Sequence, residues 1–103
     1  PMTIVGDGMQ RRDFTYVGDV VEANILAGTT DNKDTFGQIF NIGTGINWNM
    51  FELIQMIGGD DAKYEYLPPR LAEVKVSMAD INKTRRVLGW EPKTNLKDWI
   101  RKN

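Results

Sequence analysis

Apolar and polar positions along the chain follow two rhythms, and each change of rhythm marks an element. Thr3-Ile4-Val5 is short and β-prone, and the Gly6-Asp7-Gly8 turn closes it. A second β-prone stretch covers residues 14–17. The helical rhythm then takes over. Val20, Ala23 and Ala27 fall on one face, Asp19 and Glu22 read as a capping box, and Gly28 reads as the stop. After a polar loop, residues 38–42 (Gln38-Ile39-Phe40-Asn41-Ile42) return to a β-prone alternation that ends at Gly43-Thr44-Gly45.

A second helix is predicted from an Asn49 cap with Glu52 three residues on. Met50, Leu53, Ile54 and Ile57 form its apolar face, and Gly58-Gly59 ends it. Tyr64 and Tyr66 alternate as in a strand that stops at Pro68-Pro69, and Val74, Val76 and Met78 continue in extended fashion. Asp80 reads as the cap of a helix carrying Ile81, Thr84 and Leu88, which Gly89 and Pro92 terminate. Asn95 caps a last helix of about two turns with Leu96, Trp99 and Ile100 on one face. About four helices among short strands give a mixed α/β reading, and 103 residues make one domain, 1–103.

Composition narrows the chemistry. Hydrophobic residues make up 41% and charged residues 26%, which is ordinary globular territory. Thirteen basic against 14 acidic residues leave a net charge of -1, which argues against a nucleic-acid surface. No apolar run is long enough for a membrane span and no signal-peptide pattern opens the chain, so a cytoplasmic protein with no membrane partner is expected. Cysteine and histidine are both absent, which removes thiol nucleophiles, disulfides and the commonest general base and metal ligand.

Two glycine turns invite a dinucleotide reading. Arg11 stands where the third glycine of the first would be, and Trp48 where that of the second would be; both positions need a small residue for close approach. Arg12 has two readings: its guanidinium fork grips phosphate oxygens, or it pairs with a nearby carboxylate such as Asp13. Arg70, stiffened by Pro68-Pro69, likewise faces a ligand or pairs with Glu73, whose carboxylate is placed to accept from ribose hydroxyls. Trp48, Trp90 and Trp99 each border an apolar face and read as core or interface anchors.

Taken together, the segments resemble one family. The run Gly6-Asp7-Gly8-Met9-Gln10-Arg11-Arg12-Asp13-Phe14-Thr15-Tyr16-Val17-Gly18-Asp19-Val20-Val21 resembles the GDG-x-Q-x-RDF-x-YV-x-DVV segment of extended short-chain dehydrogenase/reductases, the UDP-glucose 4-epimerase-like enzymes. Phe40-Asn41-Ile42-Gly43-Thr44-Gly45 with Glu52-Leu53 resembles their FNIGTG…EL segment. Arg70 and Glu73-Val74, then Ser77, Ala79-Asp80-Ile81, Lys83 and Leu88-Gly89-Trp90 with Pro92, resemble R-x-GEV…S-x-ADI-x-K…LGW-x-P. The chain departs from the family where Leu71-Ala72 replace Pro-Gly.

The resemblance implies that Arg12 and Arg70 approach the pyrophosphate of a nucleotide sugar. It implies further that Glu73 contacts the ribose and that Gln10 lies beside the nucleotide. It also implies an N-terminal Rossmann half holding NAD on a glycine fingerprint, with a Tyr-x-x-x-Lys pair for the chemistry. Neither signature occurs in these 103 residues. The chain therefore reads as the C-terminal substrate-binding part of an NAD-dependent epimerase, without NAD of its own and inactive alone. For the parent the resemblance implies 4-epimerisation through a 4-keto sugar, in a homodimer. The family alternatives are a sugar-nucleotide 4,6-dehydratase or UDP-glucuronate decarboxylase; the alternative from another class is a non-catalytic binding scaffold.

Overall fold

The computed structural model describes all residues from Pro1 to Asn103. In chain order the elements are β1 (Met2–Val5), β2 (Arg11–Arg12), α1 (Val17–Thr29), one 3-10 turn (Lys33–Thr35), β3 (Trp48–Asn49), α2 (Met50–Gly58), β4 (Tyr64–Leu67), a π-wound helix (Thr84–Leu88) and α3 (Leu96–Lys102). This is a mixed α/β fold with four helices and short strands. β1 and β4 pair in parallel, with Met2 opposite Tyr64 and Val5 opposite Leu67; β2 and β3 pair antiparallel. No helix is long and apolar enough to cross a membrane.

The main core gathers residues distant in sequence: Ala23 from α1, Leu88 from the π-wound helix, and Ile81 and Trp90 from its flanks, with Leu26, Phe40, Ile42 and Ala79 packed around them. Trp90 is 1% exposed, and its indole N–H donates to the Asp19 carbonyl at 3.0 Å, which satisfies the one polar atom it buries. Thr84 is fully buried and its hydroxyl donates to the Asn41 carbonyl at 2.7 Å. Near β1, the ring of Phe51 lies against the buried Gly8, where an added Cβ would sit 2.8 Å from the ring, so only glycine fits that turn.

The helix starts at Asn49 and Asn95 form as the sequence suggests. Asn49 accepts from the Glu52 N–H at 2.8 Å while the Glu52 carboxylate accepts from the Asn49 N–H at 2.9 Å, a complete capping box. Asn95 accepts from the N–H groups of Lys97 and Asp98. The Asp19 expectation fails. α1 begins at Val17 with Tyr16 as an unbonded cap and runs one residue past Gly28. Asp19 is buried inside the first turn and accepts from the N–H groups of Lys93 and Thr94 at 3.1 and 3.0 Å; Glu22 bonds the Lys93 ammonium instead. A carboxylate placed to cap its own helix has been drawn into a tertiary contact.

Three predicted strands change. Residues 14–17 form none, because the antiparallel pairing falls earlier, at Arg11–Arg12. The stretch around Val74, Val76 and Met78 makes one isolated bridge, Val76 to Arg11. Residues 38–42 join no ladder: none of the amide N–H groups from Ile39 to Ile42 donates within the chain. Phe40 and Ile42 face the core while Ile39 is 85% exposed, so the alternation is real and the partner strand is what is missing.

The helix predicted after Asp80 forms as a wide turn. The Gly89 N–H donates to the Thr84 carbonyl five residues back, and Asp80 accepts from the Asn82 N–H.

Candidate functional site

The turn after β1 and the loop after β4 lie side by side because their strands pair in parallel and end together at Val5 and Leu67. Between them opens a cavity of about 790 Å³, a volume ordinary for a small-molecule site. Gln10, Arg70 and Glu73, three of the four residues expected at the site, line it. The fourth, Arg12, does not line the cavity but reaches its edge, its guanidinium 3.5 Å from the Glu73 carboxylate. Residues 58 to 63 positions apart in sequence are thereby brought together. Within the chain Arg12 pairs with Glu73, not with Asp13, and Arg70 makes no ion pair.

Each side chain is aimed by an identifiable contact. Arg12 also donates to the Arg11 carbonyl at 2.8 Å, which fixes one edge of its fork. Gln10 donates its amide N–H to the Val5 carbonyl at 2.9 Å, leaving its side-chain oxygen as the free end. Glu73 follows Ala72, the one non-glycine residue with positive φ, at 59°. The R-x-GEV segment that this stretch resembles has glycine here, and alanine adopts the left-handed backbone regardless, at a cost of about 1–2 kcal/mol. Arg11, by contrast, is withdrawn from the site: it donates to the Asn47 side chain and carbonyl and pairs with Glu52 at 3.2 Å.

Three further lining residues escaped the sequence reading: Asp7, Tyr66 and Lys75. Tyr66 packs edge-on against Tyr64 with ring centroids 5.6 Å apart. Desolvation first, then the Tyr64 hydroxyl and the charge of Asp7, raise its phenol above the ordinary value of 10.0, so it stays neutral at physiological pH. The signal that points to Lys75 is its two-residue spacing from Glu73 in an extended segment.

The second glycine turn has a different task from phosphate binding. Asp13 accepts from the Thr44 N–H at 3.0 Å, the Thr44 hydroxyl at 2.6 Å, the Gly45 N–H at 3.0 Å and the Ala79 N–H at 3.2 Å. Partial burial pushes its carboxyl up, but the bonds from Thr44, Ala79 and Gly45 outweigh that and hold it below the ordinary 3.8. The Thr44 and Gly45 amides of the turn are thus committed to a protein carboxylate. Gly43 is required because an added Cβ would collide with the Ala79 methyl and lie 2.9 Å from the Asp13 carboxylate.

The family model for GDP-mannose 4,6 dehydratase matches residues 1–103. The chain belongs to the extended short-chain dehydrogenase/reductase family of nucleotide-sugar epimerases and dehydratases. It is 36% identical to a UDP-glucuronate 4-epimerase of Thermodesulfobacterium geofontis over 106 residues, covering 99% of this chain and 32% of that one. It is 33% identical to UDP-glucuronic acid decarboxylase 1 of Arabidopsis thaliana, covering 97% of this chain and 23% of that one. The crystal structure of a UDP-glucuronic acid 4-epimerase from Bacillus cereus, in complex with UDP-glucuronic acid and NAD, superposes with a TM-score of 0.86 at 35% identity, covering 98% of this chain and 33% of that one. The chain thus spans about a third or less of the length of these relatives.

Proposed function

We propose that this chain is the C-terminal substrate-binding part of an NAD-dependent nucleotide-sugar 4-epimerase and grips the diphosphate and ribose of a UDP-sugar. Arg70 and Arg12 bind the diphosphate oxygens, Glu73 accepts from the ribose hydroxyls, and Gln10 lies beside the nucleotide. The observation that carries this reading is the convergence of Gln10, Arg70 and Glu73 on one concavity, with Arg12 tied to Glu73 at its edge. The relatives' printed substrates, UDP-glucuronic acid and UDP-sugars of the same type, fit that cationic site. When bound in the parent enzyme, NAD supplies reversible hydride transfer at the sugar C4. This chain contributes substrate orientation, holding the diphosphate so that the sugar extends toward the cofactor half.

The exposed apolar band supports a partner of that kind. Val17, Val21 and Ile25 recur every fourth residue on the outer side of α1, and Phe36 and Ile39 add to the exposed apolar surface. In this reading the band docks on the Rossmann half, and the parent dimerises through that half. The full polypeptide with NAD is expected to convert UDP-glucose or UDP-glucuronate into the 4-epimer, and this chain alone is expected to turn over neither. Arg12→Ala and Arg70→Ala each weaken UDP-sugar binding by about 1–3 kcal/mol in calorimetry. Release of a pentose product with CO2 would instead assign the decarboxylase activity carried by the Arabidopsis relative's name. Unchanged affinity in both variants would remove the site.

A further inference from the structure

We infer that Lys75 is an additional anion-binding residue of this cavity, acting with Arg70 on the diphosphate; the inference rests on the nucleotide-sugar reading above. The isolated bridge sets the geometry. Arg11 lies opposite Val76 in parallel pairing, with the Arg11 N–H donating to the Lys75 carbonyl at 2.7 Å and the Ser77 N–H donating to the Arg11 carbonyl at 2.9 Å. Facing residues in a pair share one side of the pleat and their chain neighbours take the other. Arg11 points away from the cavity, toward Asn47 and Glu52. Lys75, next to the bridge, takes the other face and lines the cavity together with Glu73, the carboxylate that pairs with Arg12.

Charge then gives Lys75 a task. Glu73 is neutralised by Arg12, and of the other charged residues lining the cavity Arg70 is offset by Asp7. Without Lys75 the site has no net charge to set against a diphosphate, which bears negative charge on the oxygens of each phosphate. With it, the cavity carries a surplus cation that makes no ion pair within the chain. Arg12 has one edge tied to the Arg11 carbonyl and another to Glu73 and offers the diphosphate only its remaining N–H groups, whereas Arg70 and Lys75 are the lining cations with no ion pair.

The test compares UDP with uridine, measured by calorimetry on the full polypeptide that carries this chain. Lys75→Met is expected to weaken UDP binding roughly tenfold, about 1.4 kcal/mol, with uridine affinity unchanged. Lys75→Arg, which keeps the charge, restores UDP binding to within about threefold. Arg70→Ala is measured alongside and reports on the nucleotide site itself. If Arg70→Ala weakens UDP binding and Lys75→Met does not, the inference about Lys75 fails while the site stands. If neither variant changes UDP binding, both fail. Equal losses for UDP and uridine in Lys75→Met would also overturn the inference, since the lysine would then act through the fold rather than through phosphate.

Discussion

Ala72 shows how one residue adjusts a site without rebuilding it. A family glycine would reach φ 59° freely, whereas the Cβ of alanine crowds the neighbouring carbonyl there. The turn keeps its shape, so Glu73 still reaches Arg12, and the strain is retained in the folded state. Ala72→Gly should therefore stabilise the protein by about 0.5–1 kcal/mol, the relief of strain less the extra entropy of an unfolded glycine. Urea denaturation measures this directly. A loss of stability would mean that alanine sits there without strain. The side chain of the neighbouring Leu71 is 100% exposed and packs on nothing in the turn.

At the scale of elements, two aspartates act as tertiary anchors. Asp13 ties the turn at residues 43–45 and the backbone at Ala79 to β2, and Asp19 ties residues 93 and 94 to α1. Asp13 has its folded-state pKa below the unfolded one. Its stabilisation is therefore complete above the unfolded value and is lost as pH falls through the folded value. Asp13→Ala is expected to cost about 2–3 kcal/mol at neutral pH, with the gap to the native protein closing as pH drops below about 4. Thermal unfolding across that range tests it; a gap independent of pH would mean that the carboxylate's charge is not what holds the segments. Neither anchor is legible in the sequence. An aspartate before an apolar run reads as a helix cap, and only the three-dimensional position of Lys93 and Thr94 shows that Asp19 bonds them instead. The caps at Asn49 and Asn95 are legible because both partners lie within three residues. Arg12, Arg70, Glu73 and Gln10 came from resemblance, whereas Lys75 needs the register of one bridge to be placed on their face.

At the scale of the whole molecule, the chain is more open than a compact domain of its length. Its Cα radius of gyration is 16.6 Å, against about 13 Å for a compact domain of this length. Only 11 of 103 residues are buried, so the apolar band on α1 and at Phe36 and Ile39 has no cover within the chain. Residues 38–42 have the alternation of a strand and lack only a neighbour to bond, since the amides of Ile39 to Ile42 have no acceptor here. If the Rossmann half proposed above supplies a sheet edge at this place, those amides gain acceptors and Ile39 gains cover in one step. Hydrogen exchange reads this residue by residue: in the isolated chain the amides of Ile39 to Ile42 should exchange almost without protection, while those of α2 are slowed. In the full polypeptide the same four amides should slow by about a hundredfold or more, as expected for interior strand positions. Equal exchange in both forms would place the partner surface elsewhere.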